Sequence, residues 1–337
     1  MAADMIKAMR IHSHGGPEVL TWEDIEIAPP GPGEARVRHT AIALNFSDIN
    51  IRRGGFYQKD PLPMPLIPGN EAAGVVTSVG EGVTAVNPGD RVGYVGVGFG
   101  FFAKTGAYAQ ERNVPTERLA HLPDGISDVQ AAAVMLKGLT ASNIVNRIYR
   151  PAPGDHVLIH AAASGVGLIL TQWCKYFGAV VIGTVGKDSK AAIARAHGAA
   201  HTILYRQMDF VSEVKAIVPQ GVRAVLDGVG KDTFEKSMDC TAPFGTLVNY
   251  GNASGHVPPI DIMQLSLKGT LSMWRPGVSH FLGDPTRFKE LCGELFDLVE
   301  MGVLKTVAAR TYPLHEARQA HIDAEQAAFA GPVVLLP

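Results

Sequence analysis

The sequence predicts an α/β protein in which a doubly wound parallel sheet is joined to a second, mostly-β domain. Three observations carry this. Between residues 157 and 250 short apolar strands alternate with helical segments, the rhythm of a parallel sheet covered on both faces. The first third of the chain is instead rich in glycine, proline and alternating apolar residues, with few helical periods. With 337 residues, the chain is long enough for two cores.

In the first third, residues 35–43 (ARVRHTAIA) alternate with period two, the mark of a half-buried strand. Residues 71–79 (EAAGVVTSV) and 90–95 read likewise, with turn signals at 29–33, 87–89 and 123–125 between strands. Residues 60–69 (DPLPMPLIPG) contain four prolines and are expected to be extended. From residue 128 the pattern becomes helical: 128–147 is alanine-rich, with Ser127 placed to cap it. Strands are then expected at 157–160, 180–184, 202–204, 224–226 and 246–250, and helices at 165–177, 189–197, 210–218 and 233–240. Gly198 and Pro219 stand where two of these helices should stop. After about residue 269 the rhythm is expected to end, with amphipathic helices at 288–301 and 313–328 and a last strand, PVVLLP. A lone helix pair and strand would bury little core, so this tail is expected to return to the first domain. The domains are thus 1–127 with 270–337, and 128–269.

The most informative stretch is 156–190. A buried strand leads into the small-residue turn Ala162-Ala163-Ser164-Gly165-Val166-Gly167, then a helix and a second buried strand. This places Ser164, Gly165, Val166 and Gly167 where a dinucleotide pyrophosphate meets a helix N-terminus. The turn departs from G-x-G-x-x-G, and close packing of helix on strand is the plainer explanation for its glycines taken alone. A site for NAD wants a carboxylate about 20 residues on, for the ribose 2′-hydroxyl. That residue is Val185, followed by Gly186, Lys187 and Lys190. Lysine in place of the carboxylate favours a 2′-phosphate, so NADPH is the expected cofactor. Lys190 could equally be a solvated surface lysine. Tyr205, after the third strand, could pack against the adenosine phosphate or simply be structural.

Composition and motifs exclude other classes. Hydrophobic residues make up 46% and charged residues 18%, with a net charge of −2 and no basic block, so nothing favours nucleic acid or an anionic membrane. The longest apolar run is glycine-broken and too short to span a bilayer, and the N-terminus lacks the apolar core of a signal peptide. Three cysteines without a C-x-x-C pair suit a reducing cytoplasm and cannot build a four-cysteine zinc lobe. The twelve histidines form no ligand cluster, and His12 and His14, two apart, read as surface residues. Neither G-x-S-x-G nor a Walker-type loop occurs.

Seven segments in order carry a family resemblance: NFSDINIRRGGFY (45–57), IPGNEAAG (67–74), GDRV (89–92), LKGLTA (136–141), HAAASGVG (160–167), DGVG (227–230) and NYGNASG (249–255). Over nearly its whole length the chain resembles the zinc-free medium-chain dehydrogenases/reductases, closest to the NADPH:quinone oxidoreductases. The resemblance implies a Rossmann-type NADPH domain, a GroES-like catalytic domain and a cytoplasmic homodimer paired through the sheet edge of the cofactor domain. Zinc-dependent relatives have ligands where this chain has Asn45, Asn70 and Leu136. Leucine cannot ligate and neutral asparagine is a poor zinc ligand, so no metal is expected.

The resemblance also implies roles. Asn45, Asn50 and Phe56 fall near the nicotinamide and substrate, although relatives have tyrosine at the last two positions. Thr140 matches the residue packed beside the nicotinamide, and Gly251 and Asn252 the loop crossing the cofactor. Arg275 would approach the phosphates or the substrate. Asn45 could instead be an amide bonded to backbone, and Arg52 reads best as a structural or surface ion pair. The glycine-rich, aromatic segment 93–108 could wall the quinone site or be a hydrophobic strand and turn. The leading expectation is hydride transfer from NADPH to a quinone. Reduction of an enone or 2-alkenal is the nearest rival, and a non-enzymatic NADPH-binding structural or RNA-binding role is a distant one.

Overall fold

The computed structural model describes residues 4–54, 62–96, 104–306 and 308–337. The strands are β1 (Asp4–Arg10), β2 (Thr21–Ile27), β3 (Glu34–Leu44), β4 (Glu71–Val79), β5 (Arg91–Val95), β6 (Glu111–Pro115), β7 (Ala120–His121), β8 (His156–Ile159), β9 (Val180–Val185), β10 (His201–Leu204), β11 (Val222–Asp227), β12 (Thr241–Asn249), β13 (Ser272–Trp274), β14 (Arg310–Pro313) and β15 (Val333–Leu336). The helices are α1 (Phe46–Arg52), α2 (Asp128–Asn143), α3 (Gly165–Tyr176), α4 (Asp188–Ala196), α5 (Phe210–Ile217), α6 (Phe234–Cys240), α7 (Met263–Leu267), α8 (Val278–Phe281), α9 (Pro285–Glu300) and α10 (Ala317–Glu325). The chain divides into two compact units, one of residues 1–139, 279–300 and 306–337, the other of 140–278 and 301–305.

The first unit is built on a mostly antiparallel sheet of order β14-β15-β3-β4-β5-β7, with β6 also paired to β3 and β1-β2 forming a separate antiparallel pair. β3 is buried along most of its length, because it lies inside the sheet with partners on both edges. Val37, Ile42, Leu44, Tyr94, Leu119 and Leu335 belong to its core. The β3–β4 register shifts between His39 and Ala41, opposite Gly74. A Cβ on Gly74 would lie 2.2 Å from the Arg38 carbonyl oxygen, so the strands can approach here only with glycine.

The second unit is a six-stranded parallel sheet of order β10-β9-β8-β11-β12-β13. This is the doubly wound order in which the chain reverses direction between the first and fourth strands, leaving a crevice at their carboxyl ends. Strands such as VLI and VVIGTV are apolar throughout because helices cover both faces of such a sheet. Leu158, Ile182, Val225 and Leu247 meet Phe210 and Met238 in its core.

The structure corrects several sequence expectations. The βα rhythm does not end at residue 269, since β13 adds a further parallel strand beside β12. Its three residues are exposed, so no apolar run announced it. The segment 313–328 is not one helix. It opens with Pro313 ending β14, passes through a 3₁₀ turn and becomes α-helical only at Ala317. The helix from Asp128 is regular only to Asn143 and continues as a π-helical turn over Ile144–Ile148. Residues 55–61 and 97–103, which include Phe56, part of the proline-rich segment and the middle of the 93–108 loop, lie outside the described residues.

Gly74→Ala should destabilise the first unit by about 1–3 kcal/mol or more, since the obstruction is backbone. A urea titration checks this, and an unchanged midpoint would show that the strands can separate without penalty.

Candidate active site

Each unit carries its own constellation. In the second unit, β8 runs into a turn where Ala161 adopts φ 53°, the left-handed region that disfavours a Cβ. Ser164 then caps α3, its hydroxyl accepting from the Gly167 amide at 3.1 Å. Gly165 and Val166 open the helix half-buried, and Gly167 is buried. A Cβ at Gly167 would meet the Ala161 carbonyl oxygen at 2.2 Å, so this glycine lets the turn fold onto the helix. The exposed Ser164 and the first amides of α3 form an N-terminus able to receive an anion.

β11, on the other side of the strand reversal, ends at Asp227. Its Oδ1 accepts from the Val229 amide at 2.8 Å, the Gly230 amide at 3.2 Å and the Thr233 hydroxyl at 3.0 Å. This buried carboxylate therefore holds the DGVG turn. His160, at the end of β8, lies between the hydroxyls of Thr184 and Ser237, each 2.9 Å away, and burial lowers its pKa. It is a neutral core residue.

At the end of β9, a Cβ on Gly186 would lie 3.5 Å from Arg206 Nε and 3.7 Å from the Tyr205 hydroxyl. Tyr205 and Arg206 therefore both reach this point. Burial lowers the Lys190 pKa, with further depression from Lys187 and Arg206. None of these three cations forms an ion pair with a carboxylate among the described residues. Arg206 was missed from sequence although its neighbour Tyr205 was singled out, because no motif marks an arginine at that point.

Arg275 Nη1 donates to the Asn249 backbone oxygen and to Asn249 Oδ1, both at 2.9 Å, and reaches the Gly251 carbonyl at 3.4 Å. The structure thus brings Arg275 to the loop of Gly251 and Asn252. A Cβ on Gly251 would meet the Gly228 carbonyl oxygen at 2.5 Å, which explains the glycine by loop packing. Thr140 is half-buried on α2.

In the first unit Asn45 caps the entry to α1, and Asn50 is half-buried on that helix. Asn45 is buried, with Nδ2 donating to Glu71 Oε1 at 2.8 Å and Oδ1 accepting from Lys137 Nζ at 2.8 Å. Lys137 also donates to Glu71 Oε1 at 3.2 Å, and Glu71 Oε2 accepts from the Leu136 amide at 2.7 Å. The Asn45 side-chain amide is thus bonded to the charged side chains of Glu71 and Lys137. Asp48 Oδ2 accepts from the Asn45 backbone N–H at 2.9 Å, and Oδ1 accepts from Asn70 Nδ2 at 2.9 Å. The Tyr108 hydroxyl lies 3.4 Å from Asp48 Oδ2 and 3.1 Å from His321 Nε2. Burial pushes the Asp48 carboxyl up to about 7, and pushes His321 down to about 3 with help from Arg52 and Arg53.

Asp48, Glu71 and Lys137 were missed as site residues although each lies inside a quoted segment. The available signal was a charged residue embedded in apolar sequence. Arg52 is an ion-pair residue, but a fully buried one, joined to Glu325. His12 pairs with Glu23 and His14 bonds the Ile51 carbonyl oxygen. Tyr94 and Tyr108 of the aromatic loop are core residues.

Residues 31–124 match the family model of the alcohol dehydrogenase GroES-like domain, and residues 165–296 that of zinc-binding dehydrogenase. A quinone oxidoreductase of Pseudomonas aeruginosa is 42% identical over 334 residues, 99% of this chain and 100% of the relative. The chain belongs to the quinone oxidoreductase family of medium-chain dehydrogenases/reductases. The structure of Escherichia coli quinone oxidoreductase complexed with NADPH is similar with a TM-score of 0.92 and 40% identity, over 98% of this chain and 100% of that one. A 2-haloacrylate reductase of a Burkholderia species is 41% identical over 337 residues, 99% of both chains.

The zinc in one family description does not fit the residues here. The Asn45 and Glu71 oxygens already face the Lys137 ammonium, and Leu136 offers only its backbone. Among the described residues no group of three or more His, Cys, Asp or Glu could hold a metal ion.

The buried Asp48 carboxyl sets a pH dependence. Its ordinary value is 3.8 and its folded value about 7, so between them the folded chain keeps a proton that the unfolded chain releases. Stability from this group is therefore present at low pH and lost as pH rises from about 4 through about 7. Asp48→Asn, neutral at every pH, should gain on wild type as urea midpoints are followed from about pH 5 to about pH 8. Parallel curves would sink the assignment.

Proposed function

We propose that this protein is an NADPH-dependent quinone oxidoreductase that transfers hydride to a quinone without a metal. The observation that carries the cofactor choice is the cluster of Lys187, Lys190 and Arg206 beside Gly186, cations without a carboxylate partner among the described residues. They stand at the end of the second strand of the parallel sheet, where the ribose of a dinucleotide would lie. A 2′-phosphate supplies the missing negative charge. A ribose 2′-hydroxyl would leave the cations unpaired and find no carboxylate.

The remaining roles follow the family pattern. Ser164, Gly165, Val166 and Gly167 receive the pyrophosphate. Gly251 and Asn252 cross the cofactor, with Arg275 bracing their loop, and Thr140 packs beside the nicotinamide. Tyr205 flanks the adenosine phosphate. Asn45 and Asn50, with Phe56, belong to the substrate side. When bound, NADPH supplies the hydride, and the protein's contribution is to orient the reactants and exclude water. A quinone is already electrophilic, so a Lewis acid is not needed to activate it. Similarity to a 2-haloacrylate reductase supports a second reading, reduction of an activated carbon–carbon double bond.

No described helix is long and apolar enough to cross a membrane. The three thiols are buried and unpaired, which supports a reducing cytoplasm. The edge strand β13 exposes Met273 and Trp274, supporting a homodimer paired through this sheet edge. Light scattering after size exclusion should give twice the chain mass, and a monomer at micromolar concentration would remove the dimer.

Lys190→Ala should weaken NADPH by about tenfold, roughly 1.4 kcal/mol, and leave NADH almost untouched. Fluorescence titration with both cofactors checks this, and equal losses would remove Lys190 from phosphate binding. Stopped-flow NADPH oxidation with 1,4-benzoquinone, 9,10-phenanthrenequinone and 2-hexenal tests the reaction. Faster turnover of the enal would favour the second reading.

A further inference from the structure

Several glycines around the nucleotide-binding turns of the second unit are forced. A Cβ would meet backbone at 2.2 Å on Gly167 and at 2.5 Å on Gly251, and Gly230 has φ 91°. Gly186 is different. Its φ lies outside the left-handed region, and its Cβ would make only ordinary contacts, 3.5 Å to Arg206 Nε and 3.7 Å to Tyr205 Cε1 and to the Tyr205 hydroxyl. Neither backbone conformation nor packing therefore demands glycine here. A glycine loses more conformational freedom on folding than any other residue, so its use at this position lies in what the missing side chain leaves clear. The atoms facing that place come from the next strand. Val185 pairs with Leu204, and the Tyr205 N–H donates to the Val185 carbonyl oxygen at 3.3 Å, so the β9–β10 register delivers Tyr205 and Arg206 to Gly186. Arg206 is exposed, with Cζ 6.0 Å from the centroid of the Tyr205 ring. Val185, where the sequence spacing expects the carboxylate of an NAD site, is buried at 2% exposure. The open position is the next one.

We propose that Gly186 is the specificity-determining position of the nucleotide site, its missing side chain keeping Arg206 and the Tyr205 hydroxyl open to a 2′-phosphate. This rests on the NADPH reading above and names the residue that enforces it. A carboxylate carried on a Cβ 3.5 Å from Arg206 Nε would come within reach of the guanidinium and pair it inside the chain. It would then repel a phosphate brought to the same place. It would also accept from a ribose 2′-hydroxyl, the bond that an NAD site makes. A bare Cα does neither, and the Arg206 charge is kept for the ligand. The preference is therefore set at residue 186 and not at residue 185, where a carboxylate would have to be buried.

The test compares wild type with Gly186→Ala, Gly186→Asn and Gly186→Asp by fluorescence titration with NADPH and with NADH, and measures thermal midpoints alongside. At an unstrained position Gly186→Ala should leave the midpoint unchanged or raised and weaken NADPH by about threefold. Gly186→Asn fills the place without a charge to pair Arg206, so it should weaken NADPH by about tenfold and give NADH no gain. Gly186→Asp should weaken NADPH on the order of a hundredfold and tighten NADH by about tenfold. An aspartate variant that keeps the wild-type ratio of the two affinities overturns the inference alone. So does an asparagine variant that binds both cofactors as wild type does. An alanine variant with a clearly lowered midpoint also overturns it, because the glycine would then be structural. A wild-type chain that binds NADH as tightly as NADPH overturns both the inference and the reading beneath it.

Discussion

The ion pair of Glu71 with Lys137 is the constraint on which the interior of the first unit is organised. Glu71 begins β4, Lys137 sits inside α2, and Asn45 opens α1, so three separate segments meet at one buried carboxylate. Removing one partner from such a pair leaves an uncompensated charge in a low-dielectric interior, and that penalty far exceeds the net value of the pair itself. The pair therefore fixes geometry more than it adds stability. It holds the Asn45 side chain in one orientation.

A second buried group, the Asp48 carboxyl, accepts from the backbone N–H of Asn45. Burial pushes it up to about 7, so near pH 7 the cluster holds the Glu71–Lys137 ion pair beside a carboxyl that is about half protonated. The nucleotide-binding unit is organised in the opposite way. Its cations gather at a strand end with no carboxylate among the described residues to pair them, while its own buried carboxylate, Asp227, is spent entirely on holding a turn.

Much of the fold was legible because period and composition report burial directly. β3, β4 and the strands of the parallel sheet stood out as alternating or continuous apolar runs, and the expected bounds of the strand at 71–79 coincide with β4. β13 and α10 were misread for the same reason in reverse. β13 has no buried residue, and Pro313 ends an edge strand where a helix seemed to start. The turn around Ser164 was readable as a helix N-terminus because small residues follow a buried strand there. Arg206 was not, since nothing local distinguishes an arginine beside Tyr205 from a solvated surface residue, and only the sheet brings both to Gly186.

The sequence by itself determined the two fold types, the turn at the helix N-terminus and the absence of a carboxylate after the second strand, each a property of residue type or local spacing. That Asn45, Asn70 and Leu136 stand where zinc-dependent relatives have ligands followed from the family resemblance. Only the tertiary structure decided what stands in place of those ligands. Whether a lysine, a glutamate and an asparagine inside apolar segments are solvated or joined depends on segments far apart in the chain meeting out of water, and no local pattern records that meeting.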